Sequence, residues 1–184
     1  MPAPSLPSNT VDTQARYPVS TDAIVLLRDD HQEIRKLFRR FKATGERAHK
    51  SKGELMDQIL EALTVHTYIE NEVMYPETRR LAPELEEDVL ESYEEHHVAD
   101  LLCMELAAMS PEDERFSAKA TVLMENVEHH MDEEEQDWFL QVRKALGRKQ
   151  LQELGARMIE LKRDAPQRPE QPGALKKAVD AVLD

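Results

Sequence analysis

The sequence predicts an all-α fold: an antiparallel, up-and-down four-helix bundle with an extra helical segment at its C-terminal end. Three observations predict it. Glycine is scarce, 5 in 184 residues, while Glu, Leu, Ala, Lys and Arg are abundant, which suits helices better than sheets. Four long segments repeat apolar residues at helical spacing. The connections between them are short, so sequential helices return antiparallel to one another. The length suits one domain with a real core plus tails.

Residues 1–20 hold Pro2, Pro4, Pro7 and Pro18 among small polar residues and read as a flexible arm. Ser20, Thr21 and Asp22 offer N-caps for a first helix over 22–43, whose stripe is Ile24, Leu27, Ile34, Leu37, Phe38 and Phe41. Gly45 breaks it. A second helix is expected over 51–75, on Leu55, Ile59, Ala62, Leu63, Ile69 and Val73, with Pro76 limiting its continuation. A third is expected over 84–109, preceded by Pro83. Ser110 can cap a fourth, with Pro111 at its first position. That helix is expected over 111–146, on Phe116, Ala120, Leu123, Val127 and Trp138, with Gly147 as its stop. The bundle thus covers 21–146. Residues 147–164 make an accessory amphipathic helix on Leu151, Leu154, Met158 and Leu161. Residues 165–184 are a Pro-rich linker with a short last helix over 174–184.

Several function classes are disfavoured. The formal net charge of −13 repels phosphate backbones, so nucleic acid is not an expected partner. No apolar stretch approaches the ~20 residues that cross a bilayer, so no membrane association is expected. The N-terminus lacks a basic start followed by an apolar run, and the expected compartment is the cytoplasm. The single cysteine, Cys103, forms no intrachain disulfide and reads as a small apolar residue inside a helix. There is no Gly-rich phosphate loop, no GxSxG elbow and no CxxC pair.

The histidines carry the chemical signal. His31 falls within the stripe 24, 27, 31, 34, 38, 41 of the first helix. His66 and Glu70 fall within 55, 59, 62, 66, 70, 73 of the second. His96 falls within 89, 93, 96, 99, 103, 106 of the third. His130 and Glu134 fall within 116, 120, 123, 127, 130, 134 of the fourth. Residues four apart on a helix share a face and touch. Each helix therefore directs a histidine inward, and two also direct a carboxylate inward. Burying lone carboxylates is costly. Cations held between them and the imidazoles remove the cost, and this donor set suits Fe, Mn or Zn.

An internal repeat supports the pattern. His31 to His66 is 35 residues and His96 to His130 is 34. Each HxxxE glutamate is followed five residues later by an aromatic, Tyr75 or Phe139. Two related helical hairpins facing each other would enclose one cavity. Two registers compete. His129 with Glu133 is also four apart, but Leu123 and Val127 lie on the line of His130. His97 shares a face with Leu90, Leu101 and Met104, and the repeat spacing favours His96. Glu94, Glu95, Asp132, Glu133 and Glu135 read as solvated charge, and His49 as a surface residue.

The segments DDHQEIRKLF, HTYIENEVMYP, EEHHVADLL and HHMDEEEQDWF together resemble the hemerythrin-like, or HHE cation-binding, domain. The resemblance covers residues 22–146. It implies two iron ions, oxo- or hydroxo-bridged, on His31, His66, Glu70, His96, His130 and Glu134, with the glutamates as bridges. It implies no catalytic residue apart from these ligands. Oxygen, hydrogen peroxide or nitric oxide would be the small partner. The oxygen-carrying members use a fifth histidine, four residues after the one matching His96. Here that position is Asp100. Asp100, Tyr93 or Tyr75 could take its place, or the position could stay open. The departure shifts the expected activity from oxygen carriage toward catalase-like peroxide decomposition. The alternative is a sensing or iron-storage module, with a protein partner engaged through the C-terminal segment.

Overall fold

The computed structural model describes residues 21–169. Among the described residues six α-helices follow one another: α1 Ala23–Ala43, α2 His49–Ile69, α3 Tyr75–Leu81, α4 Glu86–Ala108, α5 Phe116–Glu133 and α6 Phe139–Leu161. A π-helical turn over Glu70–Met74 joins α2 to α3, and a second over Glu134–Trp138 joins α5 to α6. A 3₁₀ turn over Pro83–Leu85 leads into α4. No strand occurs among the described residues. The α2 and α5 rods run unbroken through their π turns, so the core is four long antiparallel rods. α1 packs on α2, α4 packs on α5, and α6 returns onto α1.

Local chemistry accounts for the ends. The Asp22 carboxylate accepts the Val25 N–H at 3.0 Å, capping α1, and is itself held by Arg143 of α6 at 3.2 Å. Pro76 does not end its helix as expected. In the π turn the Tyr75 N–H reaches back five residues to the Glu70 carbonyl. The hydrogen-bond register slips there, and Pro76 lands in the first turn of α3, where a missing N–H is tolerated.

The helix expected from residue 111 starts instead at Phe116. Side chains of the intervening segment satisfy its backbone in turns: Ser110 Oγ accepts the Glu112 N–H, and Asp113 Oδ1 accepts the Arg115 N–H. Pro111 closes onto the start of α2 rather than opening a helix, with its carbonyl 2.9 Å from His49 Nδ1.

Gly147, at φ +74°, breaks α6 as a stop would, but the chain turns a corner there and resumes helix at once. The returning half lies across the start of α1. Gly155 makes this possible: a Cβ there would stand 2.2 Å from the Thr21 carbonyl oxygen. Leu151, Leu154, Met158 and Ile159 are buried by the contact. The expected arm over 1–20 and the helix over 174–184 lie outside the described residues, as does the end of the linker.

The apolar core divides in two. One cluster gathers Ile24, Leu27, Ile69, Met74, Val89, Phe139 and the returning half of α6. The other gathers Ile34, Phe38, Ile59, Leu63, Cys103, Leu123 and Val127. Along every rod the two clusters are separated by the same thing: a histidine, with a glutamate beside it on two of them.

Candidate metal centre

His31, His66, Glu70, His96, His130 and Glu134 form one buried polar layer, none more than 6% exposed. Each side chain is placed by its rod's apolar stripe, which turns inward above and below it. The π turns begin at Glu70 and at Glu134. A wide turn re-aims the side chains on either side of it, and such turns cost local hydrogen-bond geometry that a site can justify.

The six residues divide into two half-sites. In the first, His31 Nε2 and His66 Nε2 stand 3.2 Å apart. In the second, His96 Nε2 and His130 Nε2 stand 3.0 Å apart. Both glutamates reach across. Glu70 Oε2 lies 3.2 Å from His66 and 3.4 Å from His96. Glu134 lies 3.3 Å from His31 through Oε2 and 3.8 Å from His130 through Oε1. Each carboxylate thus faces one imidazole of each half-site, which is the placement a bridge between two cations needs.

The other ring nitrogens face outward to acceptors. His31 Nδ1 is 2.8 Å from Glu135, His96 Nδ1 is 3.0 Å from Asn71, and His130 Nδ1 is 2.6 Å from Glu95. His66 Nδ1 faces Asp30 at 3.6 Å. At His31, His96 and His130 such partners favour the proton on Nδ1 and an Nε2 lone pair turned inward, the tautomer a metal requires. Glu95 and Glu135 are therefore not the solvated charges expected of them. The repeat contained the signal. The residue before the first histidine of each hairpin, Asp30 or Glu95, faces the second histidine of the same hairpin, within hydrogen-bond reach only for Glu95. The residue after each HxxxE glutamate, Asn71 or Glu135, serves the first histidine of the other hairpin.

The electrostatics of the polypeptide alone are poorly balanced. Burial and the charges of Glu134 and Asp30 push the Glu70 carboxyl well above the usual range. Burial opposes ionisation of Glu134 as well, but His130 and His31 hold it down. In each half-site one imidazole is pushed toward the neutral form, His66 and His96 chiefly by burial. Burial opposes charging of the other two also, but the carboxylates Glu134 and Glu135 raise His31, and Glu134 and Glu95 raise His130. Glu70 Oε1 and Oε2 and Glu134 Oε2 are buried without a hydrogen-bond partner. Converging imidazole lone pairs and orphaned carboxylate oxygens fit cations, and the donors suit iron, manganese or zinc.

The competing registers resolve by position. His96 points into the layer, while His97 lies half-buried beside it. His129 pairs with Glu133 at 3.3 Å on the surface. Of the candidates for the missing histidine, Tyr75 reaches the centre. Its hydroxyl lies 3.2 Å from His96 Nε2 and donates to Glu134 Oε1 at 3.1 Å. Tyr93 packs edge-on against the Tyr75 ring. Asp100 stands apart from the ligand clusters and instead lines a cavity of about 40 Å³. His66, His96 and His130 line the same cavity. Burial raises Asp100 to about 6. It also pushes the Cys103 thiol up, leaving that side chain as inert as expected.

A helical bundle crossed by a buried layer of imidazoles and carboxylates defines a class, the cation-binding four-helix domain. Residues 22–142 match the family described as hemerythrin HHE cation binding domain, and the chain belongs to that family. Its fold is similar to the crystal structure of an HHE cation-binding domain-containing protein of Mycobacterium kansasii, with a TM-score of 0.66 at 23% identity, over 78% of this chain and 88% of that one. The sequence is also similar to a protein of Nostoc sp. (strain PCC 7120) named DNA nickase, at 28% identity over 128 residues, 70% of this chain. The chain spans about a third of that relative's length, 35%. Among the described residues no helix is long and apolar enough to cross a membrane.

Proposed function

We propose that the protein holds two iron ions, one on His31 and His66, one on His96 and His130, bridged by Glu70 and Glu134, and that it decomposes hydrogen peroxide in a catalase-like reaction. The observation that carries this is the pairing of half-sites that both contain Glu70, with Glu134 in the first and 3.8 Å from His130 of the second, beside a cavity of about 40 Å³. That space admits a molecule the size of dioxygen, nitric oxide or hydrogen peroxide, since a water needs only about 10–15 Å³ by the same measure.

Held by His31, His66, Glu70, His96, His130 and Glu134, a pair of irons would supply two-electron redox chemistry, by which two hydrogen peroxide molecules become two waters and one dioxygen. The chain's own residues do the rest. Glu70 and Glu134, each facing an imidazole of both half-sites, would hold such a pair together through a change of charge. Tyr75 keeps a hydroxyl proton at the second half-site, because burial and the nearby Glu134 and Glu70 charges raise its pKa strongly. The two apolar clusters shield the layer from bulk water on both sides.

The test is oxygen release from hydrogen peroxide by iron-loaded protein. Release well above that of the same amount of free iron is expected, and its loss in His66→Ala. Release no faster than free iron would sink the reading. The nicking activity named for the Nostoc relative is not carried over. The matched part is about a third of that protein, and a net charge of −13 disfavours a DNA backbone. A sensing role is the second reading, favoured by the Lys162–Asp30 ion pair, which links the C-terminal end of α6 to the carboxylate facing His66.

A further inference from the structure

The two hairpins treat their equivalent outer carboxylates differently. In the second hairpin Glu95 lies 2.6 Å from His130 Nδ1, and no Lys or Arg among the described residues pairs with it. In the first, Asp30 stands 3.6 Å from His66 Nδ1, past hydrogen-bonding distance, and that nitrogen has no hydrogen-bond partner. What holds Asp30 is Lys162. Its ammonium lies 2.5 and 2.6 Å from the two Asp30 oxygens, and both side chains are largely buried, at 9% and 11% exposure. Lys162 follows directly on α6, on the segment that returns from Gly147 across α1.

We infer that Lys162 is a positioning residue for the metal centre: it competes with His66 for the Asp30 carboxylate, and so couples docking of the C-terminal end of α6 to metal binding at the first half-site. The inference rests on the proposed role of His66 as a ligand. With Lys162 docked, Asp30 is drawn away, His66 lacks a close carboxylate such as the one Glu95 gives its counterpart His130, and a positive charge sits behind the site. Both effects weaken a cation at His66. With Lys162 withdrawn, Asp30 can close on Nδ1 as Glu95 does. Linkage makes the coupling reciprocal: a cation at His66 draws Asp30 inward and loosens Lys162.

The experiment is an anaerobic Fe²⁺ titration against a chromophoric chelator, with amide hydrogen exchange of the peptide around residues 156–164. Lys162→Met should tighten one of the two ions by about tenfold, the range in which outer partners of a ligand act. Lys162→Arg, which keeps the cation, should bind as wild type. Arg157→Ala breaks another ion pair of the same segment, to Glu77 at 2.6 Å, and should leave affinity unchanged. In wild type, iron should speed exchange at the C-terminal end of α6, and in Lys162→Met it should not. An unchanged or weakened affinity in Lys162→Met would overturn the inference. So would an equal shift in Arg157→Ala, because docking in general would then be the cause. If wild-type protein binds no Fe²⁺, the metal centre itself falls and the coupling with it; if wild type binds two and Lys162→Met tightens neither, the coupling falls alone.

Discussion

The two half-sites descend from one repeated pattern, yet the fold finishes them differently. At the first, Phe139 stacks on His31 at 5.7 Å with the rings 17° from parallel. The outer carboxylates there are each paired with a cation, Glu135 with Arg35 and Asp30 with Lys162. At the second, the residue equivalent to Phe139 is Tyr75, whose hydroxyl enters the layer. Its outer partners are Glu95 and the uncharged Asn71. The cavity also lies mainly on this side, along α4 and α5. The first half-site is closed, apolar and electrostatically balanced. The second is open, polar and carries the spare hydroxyl. Equal ligands need not make equal metals, because outer contacts set ligand basicity and access. Small molecules should meet the second half-site first.

Four substitutions test this contrast. The largest effect is expected from Glu70→Ala, which removes a carboxylate that belongs to both halves. Iron content after aerobic reconstitution should fall from two per chain to one or none, measured by metal analysis, and retention of two would refute a bridging role. Next comes Tyr75→Phe, which gives the second half-site the phenyl ring of the first. It deletes a buried hydrogen bond to an ionised Glu134, and the metal-free protein should lose about 1.5–3 kcal/mol in a denaturant titration.

Asp100→Asn follows, on the cavity wall. Burial raises the Asp100 carboxyl from 3.8 to about 6, so the folded state holds this proton more tightly than the unfolded chain does. The contribution to stability is therefore negative above that pKa and vanishes below 3.8, falling as pH rises between them. Asp100→Asn should accordingly be more stable than wild type by about 1–2 kcal/mol at pH 7, after discounting the exposed part of the side chain. At pH 4 the two proteins should nearly coincide. A constant gap across that range would mean the effect is not ionisation. The smallest change is expected from Asn71→Asp, which gives His96 the charged partner its three counterparts face. It should tighten one metal a few-fold and shift the midpoint potential of the pair negative, read by spectroelectrochemistry. A positive shift would reverse the account of why the halves differ.

Much of the site is legible in the chain because helical periodicity converts spacing into direction. His31 on 24, 27, 31, 34, 38, and Glu70 four residues after His66, have one face available to them once the stripe is seen. The same logic handles Gly147, since a residue at positive φ is a break whatever surrounds it. It fails at Pro76 and Pro111. A proline excludes a hydrogen bond at one position, but whether the helix ends there depends on the register of the turn before it. Glu95 and Glu135 were also hidden. They sit on the rim of each rod's stripe, where periodicity does not separate inside from outside. Their histidine partners are on other helices, 35 and 104 residues away in sequence.

The chain alone dictates the all-α class, the rods, the inward histidines and glutamates, and the repeat that makes two halves. These follow from local geometry and from the cost of burying charge, both of which act within a single helix. Packing between the rods decided how the halves differ. It set Asp30 against Lys162 rather than His66, placed the Tyr75 hydroxyl among His96, His130 and Glu134, and left Asp100 on a cavity wall. Those outcomes depend on how far apart rods settle when two apolar clusters pack, and a distance between helices is written in no single stretch of the chain.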